Sequence, residues 1–264
     1  MTLAFTHIPK TAGTTLNYLL QKNFGPKLNA IIPRKGGVYN YKNFKNDRLI
    51  YPNLSCISGH GLKPFIDYKE FDANLRWFTF LRDPIKRFVS QYIHQQTSSS
   101  DKFNMPIKDW ASKYERSNWQ VKWIAGEEDL EAAKQIIREK FIFIGLTERF
   151  NESLNIFKIL LSHNFNLQFD VNYSQPKMVA RDNSLKKKLL IDDIAELNEF
   201  YLEQNDLDIK LYDFVLEHFF ENQLQNIDQN IITKNNRDFK NFANLNLFKL
   251  KRNLIYKPYV YLNK

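Results

Sequence analysis

The chain has one cysteine in 264 residues, Cys56. An intrachain disulfide is therefore excluded and a cysteine-built metal site is not expected. A reducing, cytoplasmic setting fits that usage. No apolar run approaches the ~20 residues that span a bilayer. The N-terminus enters strand-like sequence almost at once, so no secretory leader is expected. No internal repeat is visible. Acidic residues nearly vanish from the last stretch: residues 233–264 carry eight Lys or Arg against Asp238 alone. Most of the formal charge of +9 thus sits in the tail, and the body is close to neutral. Nucleic-acid binding by the whole protein is not indicated.

What is present is a strongly aromatic, ordinarily apolar chain, long enough for one large domain with an appendage. Apolar strands at 3–9, 54–58, 75–81 and 141–145 alternate with helical patterns at 14–24, 84–96, 106–115, 118–125, 128–139, 148–163, 189–203 and 207–222. That alternation predicts an α/β fold with a parallel sheet covered on both faces. Residues 25–53, rich in Gly, Pro, Asn and Lys, read as an irregular surface excursion.

Two segments carry chemistry. Leu3 to Leu16 runs from strand through a small, hydroxyl-rich turn into a helix start. Such a turn aims backbone N–H groups and a helix dipole at an anion. Lys10 adds a charge, and Thr11, Thr14 and Thr15 add hydroxyls around Ala12 and Gly13. This differs from the G-x-x-x-x-G-K-[ST] pattern, because Lys10 precedes the glycine. An ordinary strand–turn–helix with a solvated lysine is the plainer alternative. The second segment is Leu81 to Tyr92. Arg82 leaves the carboxyl end of a strand, where ligands bind in open α/β sheets. Asp83, Arg87 and Ser90 share a helix face apart from the core stripe Ile85, Phe88, Val89, Tyr92. Arginine and serine so placed can clamp a phosphate; a capped helix with a solvated face is the alternative.

Together, His7-Ile-Pro-Lys-Thr-Ala-Gly-Thr-Thr15 and Phe80-Leu-Arg-Asp-Pro-Ile-Lys-Arg-Phe-Val-Ser-Gln-Tyr92 resemble the sulfotransferases that use 3′-phosphoadenosine 5′-phosphosulfate (PAPS). The narrower likeness is to the carbohydrate, heparan sulfate 2-O-sulfotransferase-like branch and its bacterial relatives. Ile57-Ser-Gly-His-Gly61, Asn118 to Gly126 and Phe143 to Phe150 support it, and it covers roughly residues 2–220. The resemblance implies a three-layer, P-loop-NTPase-like fold with a sulfotransferase domain over 1–225, while the differing composition of 226–264 reads as a basic, partly amphipathic appendage. It also implies that Lys10, Thr11, Ala12, Gly13, Thr14 and Thr15 hold the 5′-phosphosulfate. Lys10 would touch the bridging oxygen, and Arg82 with Ser90 would hold the 3′-phosphate, without a metal. His60, between two glycines, is the expected base on the acceptor hydroxyl. The second histidine that some relatives carry is replaced here by Ser58.

Asn118, Gln120, Lys122 and Lys177 are candidate substrate or nucleotide contacts, with Arg181 beside the last. His7 reads as a satisfied core histidine. The acceptor is expected to be a hydroxyl, by resemblance that of a glycan. The tail reads either as a segment packing on the domain or as a peripheral contact with an anionic membrane. A P-loop-like kinase and a non-catalytic nucleotide- or glycan-binding protein are the competing functions.

Overall fold

The structure is a computed structural model that describes residues 1–32, 37–98, 105–113, 116–173, 194–225 and 238–262. Its centre is a five-stranded parallel sheet in the order β2-β3-β1-β4-β5. The strands are β1 (Thr2–Thr6), β2 (Leu28–Ala30), β3 (Cys56–Gly59), β4 (Leu75–Leu81) and β5 (Phe141–Leu146). All five residues of β1 are buried, as a middle strand covered on both faces requires.

From β1 the chain passes to the edge strand β2, returns inward to β3 beside β1, and then crosses over to build β4 and β5 on the other side. The strand order therefore reverses around β1, the position at which α/β sheets open a crevice at their carboxyl ends. β1 is shorter than the apolar pattern suggests. It stops at Thr6, and Pro9, which lacks an N–H, cannot extend the ladder.

Helix α1 (Gly13–Phe24) lays Leu16, Leu19, Leu20 and Phe24 on the sheet. Each such side chain, fully buried, contributes about 1.5–3 kcal/mol. After β4, Asp83 accepts from Lys86 N at 2.8 Å and Pro84 opens α3 (Pro84–Ser98), so the expected cap is in place. Phe88, Val89 and Tyr92 of α3 form a second apolar cluster with Trp110 and Tyr201. Helices α4 (Ile107–Lys113), α5 (Trp119–Ala125), α6 (Leu130–Lys140) and α7 (Phe150–Phe165) follow close to their expected positions.

Residues 25–53 are more ordered than their composition suggests. They hold β2 and a helix, α2 (Tyr41–Ile50), capped reciprocally by Asn40 and Asn43. Asn and Lys mark the cap and the solvent face, while Phe44 and Asp47 are buried. The carboxylate of Asp47 gathers Asn29 Nδ2, Tyr39 OH and Tyr256 OH at 3.0, 2.8 and 2.7 Å. Tyr256 belongs to the basic tail, whose described part, 238–262, packs on the body. Phe248, Tyr256 and Val260 are buried, and Asn244 Nδ2 donates to the carbonyls of Lys22 and Asn23. Leu247, Leu250, Leu254 and Ile255 remain on the outer side. No described helix is long and apolar enough to cross a membrane.

Candidate active site

The turn after β1 bends through left-handed backbone at two non-glycine positions, Lys10 (φ 72°) and Ala12 (φ 62°). Such a residue costs about 1–2 kcal/mol, a strain found where a loop must present its N–H groups to a ligand. Ala12 is the N-cap of α1 and supplies no side-chain cap. Thr15 N–H turns back to the Ala12 carbonyl at 3.1 Å, so the N–H groups that an anion could meet, with the dipole aligned to favour it, are those of Gly13 and Thr14. The side chains divide the work unevenly. Thr11 turns its hydroxyl inward to the carbonyl of Ile8 at 2.9 Å, so only its backbone faces the cradle. Thr14 is exposed, and Thr15 lines a cleft.

Gly13 is a steric requirement. A Cβ there would lie 1.7 Å from Nε2 of His7. Gly13→Ala is therefore expected to destabilise the protein by about 1–3 kcal/mol, the usual range for overpacking. Adding His7→Ala should recover part of that loss. A thermal midpoint unchanged in Gly13→Ala would disprove the contact.

His7 stacks on His60, with ring centroids 4.0 Å apart, and its Nδ1 accepts from Asn17 Nδ2 at 3.2 Å. Burial, and secondarily the neighbouring His60, push its pKa down to about 3, so the ring stays neutral. His60 Nδ1 lies 2.7 Å from the carbonyl oxygen of His7. A carbonyl can only accept, so Nδ1 carries the proton and Nε2 keeps its lone pair. The turn around His60 is tied to β1 through Thr6, whose hydroxyl donates to Leu62 O at 2.8 Å and accepts from Trp123 Nε1 at 2.9 Å.

Arg82 leaves β4 beside this loop and donates through Nη1 to Lys10 O at 3.1 Å. Its Nε lies 3.9 Å from Glu148 Oε1. The sequence candidates Asn118, Gln120 and Lys122 gather behind Arg82 with bonds that run inside the protein. Gln120 is fully buried and grips the Arg82 backbone both ways, Oε1 accepting from its N–H at 3.0 Å and Nε2 donating to its carbonyl at 2.9 Å. Asn118 Oδ1 accepts from Leu207 N at 2.9 Å, capping the 206–215 helix. Lys122 pairs with Glu128 at 2.7 Å. Lys177 and Arg181 lie outside the described residues.

Two residues carry more weight than their sequence context suggested. Arg87 is fully buried, and among the described residues none of its three guanidinium nitrogens has a hydrogen-bond partner. Burial brings its pKa down to about 10; Asp208 opposes that shift, while Arg116 and Arg82 add to it. Leaving a buried cation without hydrogen bonds is costly, and an oxyanion brought to this arginine cluster would relieve it. Its place with Ser90 on one helix face was the available signal. Lys63 places Nζ 2.7 Å from the Trp123 ring centroid, and burial pulls its pKa down to about 6. Its spacing of three from His60 was the only hint of a role.

Two clefts flank the loop. One, of about 420 Å³, is bounded by Ala12 and Thr15 together with the turn from β5 into α7, Thr147–Glu152. The other, of about 730 Å³, is bounded by His7, Asn17, Ser58 and His60 on the β3 side.

The sequence profile described as the sulfotransferase family matches residues 2–242. The chain belongs to the sulfotransferase family. Among solved structures, this sulfotransferase is similar to "Crystal Structure of Sulfotransferase from Alicyclobacillus acidocaldarius" at 13% identity. The TM-score is 0.42, with 76% of this chain and 96% of that one covered. No curated protein matches. The family makes the chain an enzyme of sulfuryl transfer.

Proposed function

We propose that the protein transfers the sulfuryl group of PAPS to a hydroxyl of a carbohydrate acceptor. The observation that carries this reading is the placing of the two clefts on either side of one turn: His7 lines the β3-side cleft, Ala12 and Thr15 the β5-side cleft, so an acceptor and a donor would flank the same loop. On this reading the backbone of Lys10–Thr14 and the hydroxyl of Thr15 hold the 5′-phosphosulfate. Arg82 and Ser90 hold the 3′-phosphate, with Arg87 supplying buried positive charge behind them. When bound, PAPS supplies an activated sulfuryl group on a good leaving group.

The chain's own residues supply the rest. Lys10 neutralises charge that grows on the departing phosphate, the preorganised electrostatic assistance that phosphoryl and sulfuryl transfer both require. His60 Nε2 takes the proton of the attacking hydroxyl, and the His7 carbonyl steadies the resulting imidazolium through Nδ1–H. Gln120 fixes Arg82 by its backbone, which is a positioning role.

Calorimetry with adenosine 3′,5′-bisphosphate, AMP and ATP tests the donor assignment. The bisphosphate is expected to bind at least about 10-fold more tightly than AMP, since each charged hydrogen bond to the 3′-phosphate contributes on the order of 1.5–3 kcal/mol. That margin should disappear in Arg82→Ala. Preferred binding of magnesium-ATP would overturn the assignment in favour of a kinase.

A further inference from the structure

The C-terminal segment has one anchored face and one open face. Residues 238–262 form a single helical run, wound more widely at Arg252–Tyr256. Phe248, Tyr256 and Val260 are buried against the body, and Lys251 Nζ donates to Pro26 O at 3.1 Å. Asn244 packs so closely on Gly25 that a Cβ there would lie 2.9 Å from its side chain. The run is held in place, and its outer face is a fixed part of the protein surface.

That outer face is apolar. Leu247, Leu250, Leu254, Ile255, Tyr261 and Leu262 are six of the eleven exposed large hydrophobic side chains among the described residues. Leu247, Leu250, Leu254 and Tyr261 recur at spacings of three, four and seven, with Ile255 and Leu262 beside the last two. Such spacing draws one stripe along a helix. A continuous exposed stripe marks an interaction surface, whereas scattered single residues would not. All six lie beyond residue 242, where the match to the family profile ends.

The charge around the stripe selects what covers it. Residues 239–264 carry six Lys or Arg and no Asp or Glu. Lys249 is exposed, and Lys251 and Lys257 are half-buried. Lys27, in the turn on which the helix packs, is exposed as well. A second copy of the chain would set like charges against each other across a two-fold contact, with no carboxylate on the segment to pair them. An anionic lipid surface meets both demands. Leucines enter the boundary with the acyl chains, and lysines reach the phosphate headgroups from the flanks.

We propose that the outer face of residues 243–262 docks the enzyme on an anionic membrane surface. The helix lies in the plane of the interface and does not cross the bilayer. Phe248 and Asn253 of the same segment line the larger cleft, so docking sets that cleft beside the lipid. No residue of the stripe lines either cleft, so the proposal stands apart from the donor and acceptor assignments.

Flotation of the full chain with two kinds of vesicle tests this: phosphatidylcholine alone, and phosphatidylcholine with about one-third phosphatidylglycerol. The mixed vesicles are expected to bind at least about 10-fold more tightly, with a margin that shrinks as salt is raised. Leu250→Glu/Leu254→Glu should weaken binding to the mixed vesicles by at least about 10-fold, because it puts charge where the acyl boundary needs apolar surface. These two side chains are 58% and 68% exposed, so thermal midpoint and affinity for adenosine 3′,5′-bisphosphate should not change. Leu202→Glu, at an exposed leucine on the 194–204 helix, should leave vesicle affinity within about 2-fold. Equal affinity for the two vesicles, absence of binding to both, or binding that survives the double substitution would overturn the proposal. So would a chain that ignores vesicles but self-associates until Leu250→Glu/Leu254→Glu is introduced, which would assign the face to a second copy.

Discussion

Lys10→Met is expected to lower kcat by about 10²–10³-fold, the loss typical of removing one preorganised donor to developing negative charge. Methionine keeps the unbranched stem, and the backbone carbonyl that receives Arg82 Nη1 is untouched. The anion loop should therefore keep its shape and the protein its thermal midpoint. Arginine at this position should restore little, because a planar fork cannot stand in for a compact ammonium. The check is a single-turnover rate at saturating PAPS, alongside the affinity for adenosine 3′,5′-bisphosphate. A variant with normal kcat and a raised KM would show that Lys10 binds the ground state only.

His60→Gln carries the second large effect, a loss of about 10²–10⁴-fold in kcat with nucleotide affinity retained. The pH profile distinguishes a base from a scaffold. Burial lowers the pKa of His60 from the ordinary 6.5; Lys63 lowers it further, and the hydrogen bond to the His7 carbonyl opposes both. A base with a lowered pKa stays in its reactive form at lower pH. The acid limb of kcat/KM for the parent protein should therefore fall below pH 6.5 and be absent from the residual activity of His60→Gln. An acid limb above 6.5, or one that persists in the variant, would remove His60 from the proton transfer. Stability follows the same sign. His7 and His60 both have depressed folded-state pKa values, so the unfolded chain binds more protons as pH falls through 6.5. Native stability should decline from there towards about pH 3, the folded value of His7.

The parts of the protein that were legible in sequence are those governed by local rules. β4 and β5 are short, nearly continuous apolar runs, and Asp83-Pro84 is a cap followed by a first-turn proline. The turn at Lys10–Thr15 was readable because a run of small and hydroxyl-bearing residues interrupts the apolar pattern between a strand and an amphipathic helix. β2 and α2 were hidden because an edge strand of three residues and a polar-faced helix have weak periodicity. Their burial depends on distant partners, such as Tyr256 on Asp47, 209 positions away.

The same division runs through the site. Sequence by itself determined the strand–turn–helix order around Lys10, the Arg82 strand end and the presence of a histidine between glycines, since each depends on neighbours within a few residues. It could not determine which hydrogen bonds the polar side chains would make. Gln120 turned inward onto the Arg82 backbone, and Asn118 became a cap for a helix almost ninety residues away. Only the tertiary structure decided the protonated nitrogen of His60, because the carbonyl that selects it arrives from the adjacent strand end. Only the tertiary structure brought Arg252 into the cleft that His60 lines. Buried polar groups take whatever partner the packed chain brings within hydrogen-bonding reach, and that is a property of the whole fold.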